Sequence, residues 1–329
     1  MTMEQIIADF PMQLREAVEI GKDAPVSKHV APLRQILVTG LGGSGVGGNV
    51  VSDILSDRLR LPFAVNKDYN MPGYVNKNTL VIASSYSGNT EETLLAMEEA
   101  LSRHAKVVCI TSGGKMAKNA IQHDLDLILL PEGRPPRGCL GYSFVQQLFI
   151  LYYLKLINKD FINDIERGAQ LLEKECEGIQ KEAQKIAKVM QGKMPIIYAP
   201  QGYESAAIRW RQQINENSKM LCWHSMIPEM NHNELVGWRT KDPQWVPIFL
   251  NAPDVHERNQ LRIDINKQVI AQYADRFFEI KAKGRTRLQR LLHMMWLGDW
   301  VSVYMAQHRQ VDAMEVKVID FLKAELAKR

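Results

Sequence analysis

The chain has 329 residues, 46% of them hydrophobic and 24% charged, a balance that excludes extended disorder and a size that favours two cores over one. Its 41 Lys and Arg against 37 Asp and Glu leave a formal charge of +4 scattered along the chain, which excludes a concentrated nucleic-acid footprint. No apolar run approaches the roughly 20 residues that cross a bilayer, and Cys109, Cys139, Cys176 and Cys222 are too far apart for a zinc knuckle or a disulfide framework.

The N-terminal stretch places acids early and spaces Ile6, Ile7, Phe10 and Leu14 helically, unlike an export signal, so a cytoplasmic protein is expected. Short β-rich runs then alternate with helical patterns. Strands are expected at 35–39, 80–84, 106–110 and 125–130, with helices opening near Ser44 and Asn89 and a long helical stretch from Tyr142 to about Asn158. Such alternation predicts a parallel sheet covered by helices. A charged amphipathic segment, 161–190, leads through Gly192 and Pro195 into a new strand at 196–199, where the pattern starts again. Further strands are expected at 245–250 and 277–280, with helices over 257–274, 287–306 and 315–327. The boundary falls at 160/161, giving domains 1–160 and 161–329, the second a degenerate copy of the first.

Two strand-to-helix turns suit an anion. Gly40-Leu-Gly42-Gly43-Ser44-Gly45 lets backbone N–H groups face a ligand, although a tight packing turn or a dinucleotide fingerprint with Asp68 as ribose acid reads equally from these residues alone. The second, 84–92, gathers Ser85, Ser87 and Thr90 around Gly88 at a helix start, offering hydroxyl donors and a helix dipole without any Lys or Arg. A simple N-cap, complemented by Glu91 and Glu92, would need one hydroxyl.

GLGGSGVGG followed by SSYSGNTEET resembles the SIS (sugar isomerase) domain. The resemblance implies a phosphosugar ligand whose phosphate meets Ser44, Ser85, Ser87 and Thr90, with Gly42, Gly43 and Gly45 beside it. It also implies two αβα sandwich domains, each with a mainly parallel sheet flanked by helices.

In the second half, Glu216 ends a helical pattern among amides, and His232 sits in a polar loop-like cluster; composition alone leaves both open as solvated or catalytic. NENSK followed by PEMNHNE is similar over nearly the whole chain to the bifunctional phosphoglucose/phosphomannose isomerases. That likeness implies aldose–ketose isomerisation without metal or cofactor: Glu216 as the enediol base, His232 as the ring-opening group, and Arg137, ahead of Arg134, facing the enediolate. It also implies a homodimer with active sites at the subunit interface, His232 reaching the partner's site. Trp223, Met226, Met230 and Trp238 around His232 are expected at that interface. Where the family often has Asp-Pro-Thr, this chain has Asp312, Ala313 and Met314, which leaves the glucose-to-mannose preference open; Lys317 and Lys323 both qualify as the family's C-terminal lysine. Competing readings are an isomerase of another phosphosugar, a sugar-phosphate sensor without turnover, and a nicotinamide-dependent dehydrogenase. His224, His232 and Glu234 form a possible metal set that their surroundings do not enforce.

Overall fold

The computed structural model describes residues 1–29 and 31–328. After helices α1 (Met3–Ala8) and α2 (Phe10–Lys22), the first half runs β1 (Gln35–Thr39), α3 (Gly42–Leu55), β2 (Phe63–Asn66), β3 (Thr79–Ser84), α4 (Glu91–Ser102), β4 (Lys106–Thr111), α5 (Gly114–Gln122), β5 (Asp126–Leu129) and α6 (Leu140–Tyr153). Its sheet is parallel throughout, in the order β2-β1-β3-β4-β5. Strand β3 is buried along its whole length and strongly apolar, as a strand covered on both faces must be.

The second half runs α7 (Asp160–Val189), β6 (Met194–Pro200), α8 (Glu204–Ser218), β7 (Trp223–Ile227), β8 (Trp245–Asn251), α9 (Glu257–Ile270), β9 (Phe278–Lys281), α10 (Arg287–Arg309) and α11 (Lys317–Leu326). Its sheet is also parallel, β7-β6-β8-β9. Helix α7, about 45 Å long at 1.5 Å per residue, buries Ile165, Ala169, Leu172, Ile179, Ala183 and Ile186 on one face, the spacing of an amphipathic helix.

The inner faces of both sheets share one core, which joins Ile36, Val46 and Phe149 to Trp210, Ile248, Trp296 and Trp300. Helices α2, α3, α6, α7, α8 and α10 pack between the sheets. The outer face of the first sheet is closed by α4 and α5 and that of the second by α9 and the segment after β7. Within the shared core, Arg209 holds Asp299 by two hydrogen bonds of 2.9 Å, both side chains buried. Asp53, on α3, accepts a 2.8 Å bond from the Ser205 N–H at the start of α8, so a carboxylate of the first half satisfies an otherwise unpaired donor of a helix in the second.

The edge strands β2 and β7 and helix α5 lie outside the predicted elements; both strands are short and half-buried, with weak alternation. No helix among the described residues is long and apolar enough to cross a membrane. Helix α11 buries no residue and leaves Val318, Phe321 and Leu322 largely exposed.

Candidate active site

The C-terminal ends of β1 and β3, adjacent strands, open into the two turns singled out above, and these turns touch. A Cβ at Gly40 would come within 2.7 Å of the Ser84 carbonyl oxygen. Helix α3 begins at Gly42, whose φ of +52° turns the chain, and no side chain caps it. Its first-turn N–H groups are therefore free to meet an anion. Ser44 lies in that turn, nearly buried. At Gly43 a Cβ would stand 2.9 Å from the Pro136 carbonyl oxygen, so the Arg137 loop rests directly on this helix start.

The second turn is not built as a cap. Thr90 occupies the N-cap of α4, but its hydroxyl makes no capping bond; it pairs with Ser85 Oγ at 2.8 Å. Ser87 stands exposed, receiving only a 3.3 Å bond from the Asn89 N–H. Gly88 has φ +65°, and a Cβ there would collide with the Gly113 carbonyl oxygen, which leaves glycine alone able to make the bend. Three hydroxyls thus gather at the start of α4, in a turn that touches the start of α3.

Arg137 approaches from a one-turn 3-10 helix, Pro136–Gly138, and is 5% exposed. Its Nε donates to Asn217 Oδ1 at 2.8 Å, and its Nη2 donates to the carbonyls of Ala313 (2.6 Å) and Met314 (2.9 Å). Nη1 remains, 3.7 Å from Glu216 Oε2. Burial draws the guanidinium below its ordinary range while Glu216 pushes back; at neutral pH it is a fixed cation. Arg134 points elsewhere, paired with Asp9.

Glu216 lies in the last turn of α8 and keeps about a quarter of its side chain open to solvent. Asn217, beside it, is fully buried and donates to Ser302 Oγ at 2.9 Å while accepting from Arg137. Lys219, at φ +54° just past the helix, donates to the carbonyls of Glu216 and Glu315 (2.8 Å to the latter). Burial lowers its pKa. Asn217 and Lys219 were not singled out in the sequence; Lys219 meets the main-chain carbonyl of Glu216, while Lys317 and Lys323 are exposed on α11.

His232 makes no directed contact with this pair: it ends a 3-10 turn after β7, exposed, and among the described residues no hydrogen bond or ion pair links it to Glu216 or Arg137. Of the apolar residues around it, Met230 (1% exposed) and Trp238 (8%) belong to the core under the second sheet, and Trp223 packs edge-on against Trp245. For Met230 and Trp238 this corrects the expectation of an interface position; the outer face of the second sheet needed cover, and these side chains supply it. His224 accepts from Arg211 Nε, and both oxygens of Glu234 accept hydroxyls, from Tyr198 and Ser225. These bonds engage two of the three residues of the possible metal set.

A carboxylate and a buried cation beside two anion-ready turns define a site that can hold a phosphate while moving a proton. Residues 29–155 match the SIS domain family and residues 179–326 the bacterial phospho-glucose isomerase C-terminal SIS domain family, so the class is a pair of SIS domains. The chain is similar to a bifunctional phosphoglucose/phosphomannose isomerase of Caldicellulosiruptor bescii, at 38% identity over 99% of each chain. It is similar to another of Aquifex aeolicus, at 35% identity over 92% of this chain and 93% of that one. In fold it is similar to the C-terminal domain of glucosamine-fructose-6-phosphate aminotransferase from Francisella tularensis, with a TM-score of 0.76, 13% identity, and 95% and 98% of the two chains covered. The chain belongs to the bifunctional phosphoglucose/phosphomannose isomerase family.

Proposed function

We propose that this protein is a phosphohexose isomerase that interconverts glucose 6-phosphate and mannose 6-phosphate with fructose 6-phosphate. The observation that carries the reading is the Arg137–Glu216 pair, held at 3.7 Å beside the two phosphate-suited turns. Ser44, Ser85, Ser87, Thr90 and the α3 backbone bind the phosphate. Glu216 removes the C2 proton of the open-chain aldose, and the electron pair moves through the new C1–C2 double bond to the carbonyl oxygen, giving an enediolate opposite Arg137. Return of the proton to C1, with transfer of the O2 hydroxyl proton to O1, gives the ketose. The enediolate is planar at C2, so in the reverse direction protonation from either face yields the glucose or the mannose epimer. No step calls for a Lewis acid.

Ring opening is assigned to His232 of a second copy. His232 is exposed and unconnected to its own Glu216, and the apolar residues of α11 stand uncovered, as a buried face between subunits would in a single chain. The halves divide at 160/161, within the first turn of α7. A coupled assay on fructose 6-phosphate, scoring glucose 6-phosphate and mannose 6-phosphate separately with and without EDTA, tests the reading. Both products and no EDTA effect are expected. Absence of turnover overturns the activity; loss in EDTA restored by zinc overturns the metal-free mechanism.

A further inference from the structure

On the other flank of the glycine-rich turn lies a cationic group that the isomerisation leaves unused. Lys67 follows β2, and its Cε would lie 3.5 Å from a Cβ at Gly45, against the first turn of α3. Among the described residues Lys67 has no ion pair and no hydrogen-bond acceptor. Arg211, on α8, has one directed contact, Nε to His224 Nδ1 at 3.2 Å, and likewise no carboxylate partner. Burial, with smaller contributions from the charges of Arg211 and Lys67, holds His224 down to about 4, so the ring is a neutral acceptor at physiological pH. Two carboxylates bear on the group. Glu234 is engaged by Tyr198 and Ser225, and Glu204 acts on Lys67 only through space.

An ammonium set against the partially positive start of a helix, near a second cation, is repelled by both, and a bound anion relieves that repulsion. Strands β2, β1 and β3 are neighbours, and parallel strands lie about 4.8 Å apart, so the end of β2 is about 10 Å from the end of β3 where the hydroxyl turn begins. Arg211 and Glu216 are five residues apart on α8, about 7.5 Å along its axis. Lys67 therefore sits across the glycine turn from the hydroxyl-lined phosphate turn, and Arg211 lies on the helix that carries the proposed base.

We propose that Lys67 and Arg211 form a second anion subsite, which receives the far phosphate of a hexose bisphosphate whose other phosphate occupies the Ser85–Thr90 turn. The inference rests on the isomerase reading. Such a ligand binds without turning over, because a phosphate ester on O1 removes the free hydroxyl that must become the aldehyde. It acts as a competitive regulator of the enzyme.

The test is inhibition of fructose 6-phosphate turnover by fructose 1,6-bisphosphate and by inorganic phosphate, on the full-length chain and on Lys67→Gln and Arg211→Gln. Lys67 is exposed on a loop, so its variant keeps the fold. The bisphosphate is expected to inhibit competitively and more strongly than phosphate. Each substitution is expected to raise its inhibition constant about tenfold, the effect of one lost charge-assisted contact, while KM and phosphate inhibition stay unchanged. Equal inhibition by bisphosphate and phosphate in the unaltered chain overturns the subsite. So does a matching rise in KM, which would assign Lys67 to the substrate itself. Calorimetric titration of the bisphosphate into the unaltered chain and Lys67→Gln judges the subsite even if fructose 6-phosphate is not turned over, a result that would count against the isomerase reading alone.

Discussion

Arg137 Nη1 stands 3.7 Å from Glu216 Oε2, while Asn217 and two backbone carbonyls take other donors of the same guanidinium. The cation is held in place by the protein and keeps one edge for what lies beside the carboxylate. A positioned charge of this kind costs no reorganisation when negative charge develops opposite it.

Glu216→Gln should lower kcat by about 10²- to 10⁴-fold, the usual worth of a general base, with KM little changed because the amide keeps the shape. Exchange of the C2 proton with solvent should disappear in the same variant. Exchange at the original rate, measured by NMR in deuterium oxide, would move the base elsewhere.

Ser87→Ala should raise KM for the phosphosugar and weaken competitive inhibition by inorganic phosphate. The hydroxyl is exposed and accepts only one long bond, so the melting temperature should hold, with a stability change within about 0.5 kcal/mol. An unchanged phosphate inhibition constant would return this hydroxyl to a purely local role.

Asp53 gives a prediction about stability against pH. Burial, partly offset by the bond from Ser205, pushes its carboxyl from the ordinary 3.8 to about 6. The folded chain therefore retains a proton that the unfolded chain releases. Stability from this group falls as pH rises from about 4 to about 6, by roughly 3 kcal/mol, and stays lowered above. Asn at this position keeps an acceptor for the Ser205 N–H without the buried charge. Asp53→Asn should match the unaltered chain near pH 4 and melt several degrees higher at pH 7.5. Equal melting temperatures at both pH values would show that Asp53 is not held high.

A shared site predicts complementation. If Glu216→Gln and His232→Ala chains are unfolded and refolded together, random pairing makes half the dimers mixed, each with one intact site. Activity should recover to roughly a quarter of the unaltered value per subunit. Recovery no greater than the sum of the two variants, with mixed dimers confirmed by native mass spectrometry, places both residues in one chain's site.

What could be read in advance follows from how local each feature is. Both anion turns are written in consecutive residues at strand-to-helix junctions, and β1, β3 and β4 are strongly apolar because helices cover both faces of their sheet. Strands β2 and β7, at sheet edges, lack that pressure, and their mixed residues carry no clear period. The candidate base was singled out by family likeness, not by its own surroundings. The roles of Asn217 and Lys219 depend on Arg137, Ser302 and Glu315, distant in the chain, so no local pattern announces them. Met230 and Trp238 teach a related lesson: composition shows that they must be covered, but not by which surface.

Helix α8 is fastened to the first half at both ends, by Asp53 at its start and by Arg137 through Asn217 at its finish. It works as a strut between the halves: any motion that swings the sheets apart must uncap the helix or break the Arg137 bonds, and the second loss frees the cation that stands beside Glu216. The two halves should therefore lose structure in one cooperative thermal transition.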